Sequence, residues 1–149
     1  MCGIAAWIAT QEDILPDLDA SLCKHRGPDR TSTKVEGTVR MDFHRLCING
    51  MGVGSDQPLD AVGWWLICNG EIYNHQDMRQ ELFQQGHAVR WRGYSDSETL
   101  VECIDVWGLE KTLHYASGMF SIGVFDSQRD TFSLARDRAG EKPLYFGSA

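Results

Sequence analysis

Cys2 stands directly behind the start methionine, and cysteine is small enough for that methionine to be trimmed. Trimming would leave a thiol and a free α-amine on one residue. The amine has an unperturbed pKa of about 7.7–8.0 and the thiol about 8.5, so the amine can take the thiol proton near neutral pH. Nucleophile and base then share a residue, the N-terminal-amine form of nucleophilic catalysis. Taken alone, Cys2 is better read as the ordinary start of a buried strand.

Acyl transfer through such a thiol also needs donors aimed at the developing oxyanion, typically a side-chain amide and a backbone N–H. Asn69-Gly70, near the end of the apolar run Trp64 to Ile72, offers both. The same pair is a common turn, yet Glu71-Ile72-Tyr73 continues strand-like instead of reversing. A free amino acid as substrate would need a cation for its carboxylate and an anion for its ammonium. Arg45, followed by the apolar Leu46, can hold a carboxylate bidentately. Asp96 falls in the first turn of a helix, where complementing the helix dipole is reason enough for it. Each of these residues is weak evidence by itself.

The elements that must position them form a mixed order. Cys2 to Ile8 reads as a buried strand, and Asp13 to Lys24 as a helix with Leu15, Leu18 and Leu22 on one face. Strands are expected over Thr31 to Val35, Val39 to Ile48 and Trp64 to Ile72, with a glycine-laden loop before the last. A second helix is expected over Asn74 to Gln85, burying Met78 and Leu82. A third starts at Ser95-Asp96-Ser97-Glu98, a capping box, presents Leu100, Val101, Ile104 and Trp107, and stops at Gly108. The last third reads as extended chain. Met119 to Phe125 is apolar on both faces and so covered on both sides, Thr131 to Ala135 pairs with it, and Lys142 to Phe146 forms a further extended segment. Several strands buried on two sides, with a few helices, make an α+β layered domain.

Composition narrows the partners. The 149 residues carry 21 acidic and 14 basic side chains, a net charge of −7 that disfavours nucleic acid and anionic lipid. No apolar run is long enough to span a membrane. The opening segment lacks the basic residues of a signal peptide. Five cysteines, with no CxxC pair among them, give neither a disulfide framework nor a zinc knuckle, and fit a reducing, cytoplasmic setting. The scattered histidines suggest no metal site, Trp64 and Trp65 read as core, and Arg136-Asp137-Arg138 as a turn held by local ion pairs.

Ordered blocks recur along the whole chain: Met1-Cys2-Gly3-Ile4, Arg26-Gly27-Pro28-Asp29, Arg45-Leu46 with Ile48, and Gln57-Pro58-Leu59. Asn69-Gly70-Glu71-Ile72-Tyr73-Asn74, Ser95-Asp96-Ser97-Glu98, Gly118-Met119-Phe120, Arg136-Asp137-Arg138 and Lys142-Pro143-Leu144-Tyr145 follow. In these blocks the chain resembles the class II, N-terminal-nucleophile glutamine amidotransferase domain, in the branch found at the front of glutamine-hydrolysing asparagine synthetases. The resemblance implies a four-layer αββα sandwich. It makes Cys2 the nucleophile, Asn69 and Gly70 the oxyanion hole, Arg45 the carboxylate holder, and Asp96, helped by Glu71, the ammonium holder. Leu46, Ile48 and Asn49 would line the pocket, and the loop Arg26 to Asp29 would shape it. L-glutamine would be hydrolysed through a thioester to glutamate and ammonia, the ammonia passing to an acceptor such as activated aspartate.

The Ser-Gly-Gly-x-Asp-Ser pyrophosphate loop of the family's ATP-dependent synthetase domain has no counterpart in this sequence, and Gly50 to Gly54 does not open a helix. The expectation is therefore one amidotransferase domain over residues 1–149, with no cofactor of its own, and ATP and magnesium only in a partner synthetase domain or subunit. The family usually continues past Pro143-Leu144-Tyr145 with another strand and helix, so two expectations stand side by side, a compact stand-alone version of the fold or a fragment of a longer gene product with a truncated sheet. An edge so exposed could pair with a partner or with a second copy as a homodimer. The competing reading is a non-catalytic glutamine-binding or interaction module that kept the fold, and retention of Met1 would favour it.

Overall fold

The computed structural model describes residues 2–9, 20–47 and 56–148. Alternating side chains in the first half build a three-stranded antiparallel sheet from β1 (Gly3–Ile8), β2 (Arg30–Glu36) and β3 (Val39–Arg45), in the order β1-β3-β2. Gly3 pairs with His44 and Ile8 with Val39, so Ile4, Ala6, Val39 and Met41 share one face. A second antiparallel sheet orders β4 (Leu59–Ala61), β5 (Trp64–Ile72), β6 (Gly118–Asp126) and β7 (Thr131–Arg136) as β4-β5-β6-β7.

The period-two pattern of β5 divides the core in two. Trp65 and Ile67 point toward the first sheet and join Val39, Met41, Phe125, Ile4 and Ala6 in one cluster. Leu66, Cys68 and Ile72 point the other way, under α1 (His75–Gln84) and α2 (Asp96–Trp107). There they meet Met78, Leu82, Leu100 and Ile104, all essentially inaccessible to water. Burying each such side chain stabilises the fold by about 1.5–3 kcal/mol. The expected two-sided burial of the Met119–Phe125 strand is observed, and Trp65 is core, edge-on to Phe125 at 5.6 Å.

Ser95 caps α2 by accepting from the Glu98 N–H at 3.3 Å. The reciprocal half of the capping box is absent. The buried Glu98 carboxylate instead accepts from the N–H groups of Arg92 and Gly93, and pairs with Arg79 at 3.4 Å. Arg79 also donates to the Gly93 and Ser95 carbonyls, 2.8 and 2.9 Å away, and stacks 3.9 Å from the Trp91 ring. The N-terminus of α2 is thereby nailed to α1.

Several expectations change. Most of the predicted helix Asp13–Lys24 lies outside the described residues, and the described part is a 3-10 helix, Ala20–Arg26, with Leu22 69% exposed rather than packed. This turn lies against β1 and β3, so close that a Cβ on Gly3 would meet the Cys23 carbonyl oxygen at 2.5 Å. The last third is not all extended: α3 (Leu109–Tyr115) follows α2 directly, its Thr112 buried and donating through Oγ1 to the Gly108 carbonyl at 2.8 Å. Lys142 to Phe146 joins no ladder among the described residues. Arg136-Asp137-Arg138 is held differently too. Asp137 accepts backbone N–H groups of Glu141 and Lys142, at 2.8 and 3.0 Å, and Arg138 donates to the Leu113, His114 and Ala116 carbonyls that end α3. The described layers are two antiparallel sheets and three helices over the second sheet, an α+β arrangement, with the 3-10 turn on the outer side of the first sheet. No described helix is long and apolar enough to cross a membrane.

Candidate active site

Cys2 precedes β1 and is half-buried, and the Leu46 N–H, just past β3, donates to its Sγ at 3.5 Å. The Leu46 carbonyl oxygen lies 3.8 Å from the same sulfur. The loop Arg26–Asp29 braces this contact from behind. Asp29 donates its N–H to the Arg45 carbonyl at 3.0 Å and accepts the Cys47 N–H at 2.7 Å. Gly27 is required there, because a Cβ would sit 1.9 Å from the His44 carbonyl oxygen.

Arg45 closes β3 with its side chain 13% exposed, and its Nη1 donates to Asp56 Oδ1 at 2.7 Å. Arg30 pairs with the other oxygen of Asp56. Asp96 opens α2, and both its oxygens are engaged: Oδ2 accepts the Ile72 N–H and Oδ1 the Ser97 N–H, each at 2.8 Å. An ionised carboxylate has further lone pairs, so an ammonium could still be accepted.

The end of β5 is joined to Asp96 through that Ile72 bond. Asn69 is buried, and its Oδ1 has no hydrogen-bond partner among the described residues. An unmatched buried polar atom costs about 1–3 kcal/mol, and such groups call for a functional explanation. A Cβ on Gly70 would meet the Met119 carbonyl oxygen at 2.1 Å and the Phe120 Cα at 2.5 Å, so β6 approaches too closely for any other residue. The Cys68 thiol is held well above its ordinary value, first by burial, then by the charges of Asp96 and Cys2. Cys2, Cys68 and Asp96 are thus electrostatic neighbours, joining the start of β1 to the end of β5 and the head of α2.

Hydrogen bonds thus join Cys2 to Leu46 beside Arg45, and Asp96 to β5 two residues past Gly70. Glu71 is exposed beside Ile72, with its side chain in none of the described hydrogen bonds. Ile48 and Asn49 lie outside the described residues. The expectations passed over Asp56, Gln57 and Ser97 as site residues, though Gln57-Pro58-Leu59 marked the place. Among the described residues no group of three or more His, Cys, Asp or Glu side chains is arranged to hold a metal. A cavity of about 760 Å³ opens elsewhere, between α3 and the end of β7, beside Trp107, Leu113, Arg136 and Arg138.

A family model for the glutamine amidotransferase domain matches residues 1–149. The chain belongs to that family. Within it the similarity is to the asparagine synthetase branch. The "Asparagine synthetase [glutamine-hydrolyzing] 3" of Bacillus subtilis is 32% identical, over 98% of this chain and 25% of its own. The enzyme of Sandersonia aurantiaca is 36% identical over 99% and 28%, and asparagine synthetase B of Escherichia coli 34% over 85% and 22%. The chain spans about a quarter of the length of these curated relatives. Among solved structures, the glutamine phosphoribosylpyrophosphate amidotransferase of B. subtilis is similar over 63% of this chain and 22% of its own, at 24% identity and a TM-score of 0.48.

Proposed function

We propose that the chain is the glutaminase part of an asparagine-synthetase-type enzyme, hydrolysing L-glutamine to glutamate and ammonia. The observation that carries this reading is the Cys2 sulfur seated on the Leu46 N–H, with Arg45 adjacent in sequence. With Met1 removed, the Cys2 α-amine takes the thiol proton and the sulfur attacks the side-chain carbonyl carbon of glutamine. The oxygen becomes an anion held by the Asn69 amide and the Gly70 N–H. Collapse breaks the C–N bond, the amine returns its proton to the leaving nitrogen, and ammonia departs. Water then attacks the γ-glutamyl thioester, releasing glutamate and restoring the thiol.

Arg45 holds the α-carboxylate and Asp96 the α-ammonium, with Glu71 lending negative charge nearby and Leu46, Ile48 and Asn49 bordering the pocket. Ammonia passes to an acceptor such as activated aspartate on an ATP-dependent synthetase domain, in the same chain or another. The relatives' names and their greater length support that division. A four-layer αββα sandwich is the fold proposed for the domain. Free thiols at Cys2, Cys23, Cys47, Cys68 and Cys103 suit a reducing compartment.

Glutamate release from glutamine, assayed on the purified chain, tests the reading. Cys2→Ala should abolish turnover and leave the fold unchanged. Undiminished turnover in that variant would remove Cys2 from the chemistry.

A further inference from the structure

Gln57 is buried, and its side-chain amide bridges two of the elements that build the proposed glutamine site. Its Oε1 accepts the N–H of Cys68, the residue before Asn69-Gly70 on β5. Its Nε2 donates to Ser97 Oγ at 3.2 Å on α2, and Ser97 Oγ in turn lies 3.3 Å from Asp96 Oδ1. The Gln57 carbonyl accepts from Ser32 on β2, which ties the bridge to the first sheet. The preceding residue, Asp56, carries the Arg45 ion pair.

We propose that Gln57 is a positioning residue for glutamine hydrolysis, fixing the oxyanion-hole strand and the ammonium-holding helix at one separation. The inference rests on the functional reading above. Its two arms have separable consequences. The arm to Ser97 sets where Asp96 stands, so it governs substrate binding. The arm to Cys68 sets where Asn69 and Gly70 stand, so it governs the chemical step. A primary amide serves both because it offers an acceptor and donors at one planar end without carrying charge.

Steady-state kinetics on the full chain distinguish the arms. Ser97→Ala leaves the Gln57–Cys68 bond in place and removes the hydroxyl that joins Gln57 to Asp96, and KM for glutamine should rise on the order of tenfold with a much smaller change in kcat. Gln57→Met keeps the volume but cuts both arms, and should raise KM and lower kcat together. Alkylation of Cys2 by iodoacetamide, which needs no amino-acid recognition, should proceed at the parent rate in Ser97→Ala. A parental KM in Ser97→Ala, a kcat that falls as far as KM rises, or slowed alkylation of Cys2 overturns the inference even if Gln57→Met fails to fold. A parent chain that neither binds nor hydrolyses glutamine overturns the functional reading, and this inference with it.

Discussion

Arg45 and Asp96 present opposite charges from a strand and a helix, Arg45 at the end of β3 and Asp96 at the head of α2 where it binds the end of β5. On the proposed reading the glutamine carboxylate meets Arg45 and its ammonium meets Asp96, and neither side chain can substitute for the other. Both are already partnered, Arg45 by Asp56 and Asp96 by backbone N–H groups, so each is held in place before any ligand arrives. Preorganisation of this kind reduces the ordering cost of binding. Arg45→Ala and Asp96→Ala should each weaken glutamine binding by about 2–5 kcal/mol, the cost of truncating one partner of a desolvated charge pair. Calorimetry on the Cys2→Ala background, where glutamine is not consumed, measures this. Unchanged affinity in both variants would place the pocket elsewhere.

Among the elements, those with strong periodicity were readable from sequence and the short ones were not. β5 follows the alternation of Trp64 to Ile72, and α1 follows Met78 and Leu82, because one apolar face decides each. β4 has three residues and α3 seven, too few for a period to declare itself, and α3 buries a threonine in place of a leucine. The candidate site was legible where it rests on residue types in order, as at Cys2, Arg45, Asn69 and Asp96. The Gln57–Ser97 bond joins positions forty residues apart, and no local pattern records it. Asp137 is a second such case. Burial alone would raise its carboxyl, but the N–H groups of Lys142, Glu141, Phe120 and Gly140 outweigh that and hold it at about 2. Its ordinary value is about 3.9. The folded group is therefore the stronger acid, and its contribution is complete above about pH 4 and lost as pH falls toward about 2. Thermal unfolding of parent and Asp137→Asn should differ most at neutral pH and converge by about pH 2. A gap independent of pH would mean that the carboxylate charge plays no part in anchoring this turn.

At the scale of the molecule, β5 is the organising strand. One of its faces seals against the first sheet, the other against the helices, and its end, which carries Asn69 and Gly70, is bonded to Asp96. Neither core alone would bring those groups together, because Cys2 rides on the first sheet and Asp96 on the helical layer. The chemistry proposed here therefore depends on the packing of whole layers, and on a free amine at the residue where the first sheet begins. Intact-mass and peptide-level analysis after exposure to a glutamine-mimicking diazo ketone tests that dependence most directly. The account predicts a chain lacking Met1 that gains one adduct, located on Cys2 and suppressed by excess glutamine. A folded chain that retains Met1, or that takes up no adduct at Cys2, would contradict it.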